Sequence, residues 1–352
     1  MIHLCVYECG QLEMRAAFIA LIGIISFCAP LLGAVRGAYH NHFAIELDYV
    51  LLRRANSQNK HLVEAAGGPI NFLPSAEPPE CAKEVGKTLI ASKDLIHDMQ
   101  FTPGFSGAIK IFPSIWSTWE ARYTGGFAWE GKKTRNCLEN LNLDGAFAFQ
   151  TQDYNFASRV KSLYYSKMYN LELDYWRHIT PRYTDHFSVS WMAGLTYFNI
   201  EEKIKLYFTK TFPVVQTSRY RTRTDNTAFG LQIGGRLEYN PYHFLTWGFV
   251  AKMGGLFNRD KVRTLMLDQN NTFVFLHVDR SGSTFAYMGQ FFPYLELRPT
   301  KHFFFQINYQ VLFVGNLATA AANIKLHGTG SVLDDNSHII YHGLTGGIQF
   351  NF

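Results

Sequence analysis

Charge is scarce in this sequence. Lys and Arg number 33 and Asp and Glu 28, together 17% of 352 residues, where about a quarter is usual. The formal net charge is only +5, and no basic stripe interleaved with aromatics reaches the density of a nucleic-acid surface. The nearest is Arg219-Tyr220-Arg221-Thr222-Arg223, next to Asp225. Long apolar runs are missing too, apart from one near the N-terminus, which excludes a bundle of membrane-spanning helices. Cysteine is rare, at five residues, too few for a disulfide-built scaffold.

Aromatic residues are plentiful instead, at 16%, with 30 Phe and 19 Tyr. Glycine is frequent, and the mean hydropathy is close to zero at -0.08. Abundant aromatics, little charge and even hydropathy suit a membrane β-barrel with aromatic girdles.

The single apolar run follows Met14-Arg15, has its core from Ala16 to Phe27, and leads to Leu32-Gly33-Ala34. That is the order of a secretory signal peptide. Residues 1–34 are expected to be removed, with Met14 as an alternative start. One domain, 35–352, then remains. Cys5, Cys9 and Cys28 would leave with the signal. Cys81 and Cys137 would stay as an even pair in a compartment that permits disulfides. They fall in the first two long connections and are candidates for a disulfide tying these together, the alternative being two free thiols.

Period-two alternation recurs ten times, over residues 42–52, 101–112, 115–129, 160–176, 187–197, 228–239, 245–251, 285–297, 303–311 and 339–352. Each stretch has one apolar and one polar face, as a strand between two solvents requires. In 187–197 the apolar set is Phe187, Val189, Trp191, Ala193, Leu195 and Tyr197. Short connections near Pro113, Pro181, Pro241 and Pro299 alternate with long ones at 53–98, 131–157, 201–225, 258–283 and 315–337. A short helix is expected near 87–96, and a separate hairpin within 201–225. Strict alternation of short turns and long loops is the pattern of an outer-membrane barrel. The expected fold is all-β: a transmembrane antiparallel up-and-down β-barrel of about ten strands, with twelve as the alternative, long extracellular loops and short periplasmic turns.

The polar faces would point inward. They carry Glu46, Asp48, Glu120, Glu172, Asp174, Glu238 and Glu296 among the acids. The bases are Lys110, Arg122, Arg236, Lys252 and Arg298. These are the candidate lumen-lining residues. They either line a hydrated channel and set its selectivity, or pair across a narrow lumen and plug it, since about eight strands enclose only enough room for side chains. Inward Gly194, Gly234 and Gly248 leave space for a facing long side chain or for water. No catalytic constellation, metal-ligand set or cofactor motif stands out. His40, His42, His338 and His342 are not placed to share a metal.

The last stretch, 339–352, ends in Phe350-Asn351-Phe352. It resembles the closing strand of bacterial outer-membrane barrels, whose terminus the barrel-assembly machinery reads, and Phe350 and Phe352 are the candidate signal. Thr224–Arg236, with Asn226, Gly230, Gln232, Gly234 and Gly235, resembles the "N…GxQxGG" strand of the planctomycete-type outer-membrane β-barrel family. Lys252, Gly254 and Asn258 resemble its "KxGxxxN" segment. Tyr309–Ala318 resembles its "GYxxLxxxGxALAP" segment, with Asn308 where Gly is usual and the Pro missing. The likeness covers 101–352. More distantly the chain is similar to the Legionella and chlamydia-like major outer-membrane proteins, which are pore-forming. The resemblance implies the fold and an outer-membrane location. The expected function is a porin-like channel for passive diffusion of small hydrophilic solutes or ions, with no enzymatic activity and no nucleic-acid partner. The alternative is a plugged structural or adhesive barrel whose outer loops contact host or envelope partners.

Overall fold

Residues 42–55, 59–65, 87–144, 152–180, 186–211, 214–324 and 333–352 are described by the structure, a computed structural model. The expected signal peptide, Cys81, His40 and the turn at Pro181 lie outside the described residues.

Ten strands close into a ring: β1 (Phe43–Ala55), β4 (Thr102–Ser114), β5 (Ser117–Leu143), β6 (Ala157–His178), β7 (Phe187–Lys210), β8 (Gln216–Tyr242), β9 (Leu245–Leu267), β10 (Val274–Leu297), β11 (Phe303–Leu317) and β12 (Ser337–Asn351). Every pairing is antiparallel between neighbours, and β1–β12 shuts the ring from Ala44↔Asn351 to Ala55↔Ile340. Two further strands, β2 (His61–Ala65) and β3 (Thr88–Ala91), stand outside it and extend the sheet from the upper end of β5, at Val63↔Leu143. Ten and twelve strands are thus both present, ten in the ring and twelve in the sheet. Helix α1 (Ser92–His97) follows β3 directly. The Ala91 N–H donates to Asp94 Oδ2 at 2.9 Å, and Leu95 and Ile96 are buried.

The lower part of the ring obeys the expected alternation. On β8 the outward residues Phe229, Leu231, Ile233, Leu237 and Tyr239 are exposed, Leu231 by 68%, while Gln232 and Glu238 between them are buried. On β9 the same holds for Trp247, Phe249, Met253 and Phe257. A tilted strand crosses the hydrocarbon with about 9–11 residues, which is the reach of Phe229 to Tyr239. Closure satisfies every ladder hydrogen bond, so this apolar band faces lipid without an uncovered edge. The chain is a membrane-spanning β-barrel of the outer-membrane type. Tyr197, Phe229, Phe257 and Phe285 lie side by side as cross-strand neighbours and form its upper aromatic row.

The long loops are shorter than the sequence suggests, because the strands continue above that row. β8 runs for 27 residues and β7 for 24. Most of 201–225 and 258–283 is ladder rather than loop, and the expected separate hairpin is the upper part of β7 and β8. The reason is a change of phase. Along β7 the apolar residues are odd-numbered up to Tyr197, then even-numbered: Phe198, Ile200, Ile204, Leu206 and Phe208, all fully buried. Outside now meets water and takes Lys203 and Lys205, and inside takes the apolar side chains. The turns also shift slightly: Pro113 belongs to β4, and Tyr242 still belongs to β8.

This upper half has a core of its own. Leu52, Trp129, Tyr164, Ile204, Phe208, Tyr220, Met266, Leu312 and Tyr341 meet in its middle, joined by Leu95 and Ile96 of α1. Tyr154 closes the top, with its Oη 2.6 Å from the Leu267 carbonyl. Among the described residues no helix is long and apolar enough to cross a membrane.

Candidate functional site

The barrel interior holds three layers. The middle one contains most of the expected lumen residues, and they pair with one another. On the β1–β4–β5 wall, Arg122 spends its guanidinium on three carboxylates. Nη2 donates to Glu46 Oε1 at 2.7 Å, Nη1 to Asp48 Oδ2 at 3.0 Å, and Nε to Glu120 Oε1 at 2.9 Å. Lys110 bonds Glu46 and donates to Gln349 Oε1 at 2.7 Å. This planar fork shared by several carboxylates is what arginine offers and lysine does not.

A second knot spans the lumen. Lys252 of β9 donates to Glu172 Oε2 at 2.5 Å and Asp174 Oδ2 at 2.7 Å, both on β6. Gln232 Nε2 donates to Asp174 Oδ1 at 2.6 Å. Gln290 of β10 also donates to Glu172. Between β6 and β10 lie three strands on one side and five on the other, so this contact crosses nearly the full bore. Gly194 makes room for it, since a Cβ there would lie 2.1 Å from Asp174 Oδ1.

Below, on the short-turn side, the remaining expected residues sit with aromatic neighbours. Arg236 stacks over Trp176 at 4.2 Å, a cation–π contact. Tyr294 donates to Glu238 Oε1 at 2.5 Å, its ring resting where Gly248 has no side chain. Arg298 lies 3.7 Å from Glu296 Oε1 and donates to Thr246. Trp176, Met192, Val250 and Tyr294 form a small apolar cluster across this end.

Above the knots the interior is filled by buried side chains, and here the structure adds residues that the sequence did not suggest. Arg54 of β1 and Glu202 of β7 meet at 2.5 Å with no side-chain surface exposed. Tyr164 of β6 joins them, accepting from Arg54 Nη2 at 3.1 Å and donating to Glu202 Oε2 at 2.8 Å. The chain after β11 folds into this space rather than outward, and residues 317–324 are all buried. Asn226 holds that segment as a strand partner would: Nδ2 donates to the Ala318 carbonyl and Oδ1 accepts from the Ala318 N–H, both at 2.8 Å. The Ala320 N–H donates to Glu202 Oε2 at 2.9 Å. Asn258 Nδ2 donates to Asn226 Oδ1 at 3.2 Å. So three separate stretches converge at one place, through Asn226 of β8, Asn258 of β9 and Ala318 after β11. The signal for Glu202 was present in the even-numbered alternation of Ile204, Leu206 and Phe208. Arg54 followed Arg53 just past the last clear alternation of β1.

A cavity of about 50 Å³ remains at mid-height, lined by Glu46, Asp48, Arg122, Glu172, Lys252 and Asn308 among others. It has room for a few water molecules, with Met168, Phe292 and Leu312 interrupting its polar lining. Cys137 is disulfide-bonded; its expected partner Cys81 lies outside the described residues. Phe350 and Phe352 point outward at the lower rim, and Phe350 packs on Phe303 at 5.0 Å between ring centres. His342 accepts or donates through Nδ1 to Tyr309 Oη at 2.8 Å, and His338 packs on Phe313. Among the described residues no three His, Cys, Asp or Glu side chains are grouped to hold a metal.

No protein-family model matches the chain, and no curated protein matches it. Solved structures that resemble it are membrane barrels at low identity. The outer membrane protease OmpT from Escherichia coli is 10% identical, with 91% of this chain and 99% of that one covered and a TM-score of 0.47. A Pseudomonas aeruginosa FadL homologue is 9% identical, with 89% and 90% covered and a TM-score of 0.30. The outer membrane protein OprG from the same organism is 8% identical, with 88% and 97% covered and a TM-score of 0.28. At these scores the likeness adds nothing to what the closed ring and its lipid-facing band already show.

Proposed function

We propose that the protein is a closed barrel of a bacterial outer membrane that acts through its extracellular half, and that it is not a standing pore. One observation carries this reading: the upper lumen is filled by buried side chains, a large apolar cluster crossed by the Arg54–Glu202 bridge and closed over by residues 317–324. The polar groups there, among them Arg54, Glu202, Tyr164 and Asn226, bond one another or the inward segment instead of lining an open path, and desolvation opposes a hydrated ion. The part above the membrane then offers a rigid, water-facing platform. On this reading the protein carries no catalytic activity. Its terminal strand, with Phe350 and Phe352 facing out, is the segment that the barrel-assembly machinery would read, and membrane lipid is its constant partner.

Single-channel recording of the refolded protein in a planar bilayer tests the reading. Folding is checked by heat-dependent gel mobility. The expected result is a silent bilayer. Discrete, reproducible conductance steps from the unmodified protein would overturn it.

The polar cavity beneath the seal favours a second reading, a gated channel for small hydrophilic solutes or ions. Under it, replacing residues 318–336 with a short Gly-Ser turn produces steps where the intact protein gives none. Under the closed-barrel reading the shortened protein stays silent, because the middle knots still cross the bore.

A further inference from the structure

The middle layer of the lumen is not neutral. Five carboxylates, Glu46, Asp48, Glu120, Glu172 and Asp174, face three bases, Lys110, Arg122 and Lys252. The layer below is even, with Arg236 and Arg298 against Glu238 and Glu296, and so is the Arg54–Glu202 bridge above. Two negative charges are left over at mid-height. None of the five acids is more than 7% exposed, and a charge held out of water without a counter-charge is costly.

The excess has a place where it can be answered. Asp48 leans across β12 at its strand neighbour Gly347, where no side chain stands in the way. A Cβ at Gly347 would lie 1.8 Å from Asp48 Oδ1. The next residue across the ladder is Gln306 of β11. Asp48 thus borders the mid-height cavity of about 50 Å³ from the β1 side, while Gln306, Asn308, Gln310 and Thr345 line it from β11 and β12 without charge. Two oxygens on that uncharged side have no hydrogen-bond partner among the described residues, Asn308 Oδ1 and Thr345 Oγ1. They belong to direct neighbours in the β11–β12 ladder, and Thr345 is only 4% exposed.

A buried hydroxyl and amide oxygen left unmet cost stability. Water in the cavity would meet both, but it would leave the two charges unanswered. A cation does both. The bases at this height are already shared out, Arg122 among three carboxylates and Lys252 between two. Arg122 also borders the cavity, yet its Nη1 takes Asp48 Oδ2 and leaves Oδ1 on the Gly347 side. One carboxylate with neutral amide and hydroxyl oxygens suits a hard cation. Calcium accepts such a mixed and irregular oxygen shell, whereas magnesium demands a near-ideal octahedron and keeps its water. Zinc prefers nitrogen and sulfur.

We propose that the mid-height cavity is a binding site for one divalent cation of the calcium type, held by Asp48, Asn308 Oδ1 and Thr345 Oγ1. Gln306, Gln310 and water complete its shell. The site stands whether the lumen is closed or gated. Residues 317–324 close over it, so the ion is taken up as the barrel folds and is slow to leave.

The test uses the full chain, refolded either with excess calcium chloride or with EGTA and then desalted into calcium-free buffer. Metal is counted in the fraction with folded gel mobility. The expected result is about one calcium per barrel after refolding with calcium. That is on the order of ten-fold more than after EGTA, and folded mobility should survive to a higher temperature. Asp48→Asn is expected to lose both the retained calcium and the temperature difference. Thr345→Val, which keeps the shape and removes the hydroxyl, is expected to retain severalfold less, and serves if Asp48→Asn does not fold. Glu130→Gln, an exposed acid of the outer wall, is expected to retain as much as the unmodified protein. Magnesium chloride in the same protocol should be retained far less. No calcium above the EGTA level would overturn the site and leave the two charges to protons. Unchanged retention in the Asp48 and Thr345 variants, equal loss in Glu130→Gln, or equal retention of magnesium would each overturn it too.

Discussion

Arg54 and Glu202 come from opposite walls of the barrel, β1 and β7, and meet fully buried in its interior at 2.5 Å. Three strands separate them one way around the ring and five the other. Removing one partner strands a charge in an apolar core, which costs about 3–5 kcal/mol. Glu202→Ala is expected to lower the unfolding midpoint in denaturant, read by loss of heat-resistant gel mobility. The double variant Arg54→Met, Glu202→Leu should recover most of that loss, since well-packed apolar groups often replace a buried pair without penalty. A single variant as stable as the unmodified protein would mean that the bridge is not buried.

Asn226 holds the inward segment by mimicking a strand partner of Ala318. Asn226→Ala leaves a buried backbone donor and acceptor unmet, at about 1–3 kcal/mol each. Hydrogen exchange checks this directly. The amides of Ala318 and Ala320 should be protected in the intact protein and exchange orders of magnitude faster in the variant, while β8 and β9 keep their protection. Fast exchange at Ala318 in the unmodified protein would contradict the seal.

The lipid-facing band predicts which tryptophans see acyl chains. Trp191 and Trp247 are 47% and 58% exposed on the outer wall, and Trp129 and Trp176 are 1% exposed inside. In vesicles with brominated acyl chains, a variant retaining only Trp191 should be quenched strongly, and one retaining only Trp176 hardly at all. The reverse order would place the wrong face against lipid.

Ring closure depends on Gly343, paired with Leu52 where β12 meets β1. A Cβ there would stand 1.8 Å from the Leu51 carbonyl oxygen, and backbone in a ladder cannot yield as a side chain can. Gly343→Ala is expected to cost at least the upper end of about 1–3 kcal/mol. Refolding yield, scored by the fraction with folded gel mobility, should fall sharply. Gly289→Ala is the control, because nothing lies within 4 Å of a Cβ added there.

The fold was legible wherever lipid imposed one rule on a whole face. All ten ring strands show in the sequence because Leu231, Trp191 or Phe350 must face out and Gln232, Ser190 or Gln349 in. Inward placement of Glu46, Arg122, Glu172 and Lys252 followed from the same rule, one residue over. What they do there did not follow. Pairing Lys252 with Glu172 and Asp174 depends on ring size and on strand register across the two strands between them, and alternation carries neither. The upper halves of β7, β8, β9 and β10 look like loops in the sequence because the apolar residues change from odd to even positions after Tyr197. A charged outer face and an apolar inner one look irregular to a reading tuned to lipid. The inward course of residues 317–324 has no periodicity at all, and its buried alanines resemble any small-residue loop.

That change from odd to even gives the protein a sense of depth. Below it, raising the barrel would draw Leu195 and Phe229 into water. Above it, sinking the barrel would pull Lys203 and Arg223 into hydrocarbon. Displacement in either direction exposes the wrong chemistry on several strands at once, because the switch falls at the same level on β7, β8 and β9. Mismatch between a protein's apolar span and its bilayer is relieved by tilt or by local thinning or thickening of the bilayer. This one has its waterline written into the chain, and a membrane of a different thickness would have to bend to meet it.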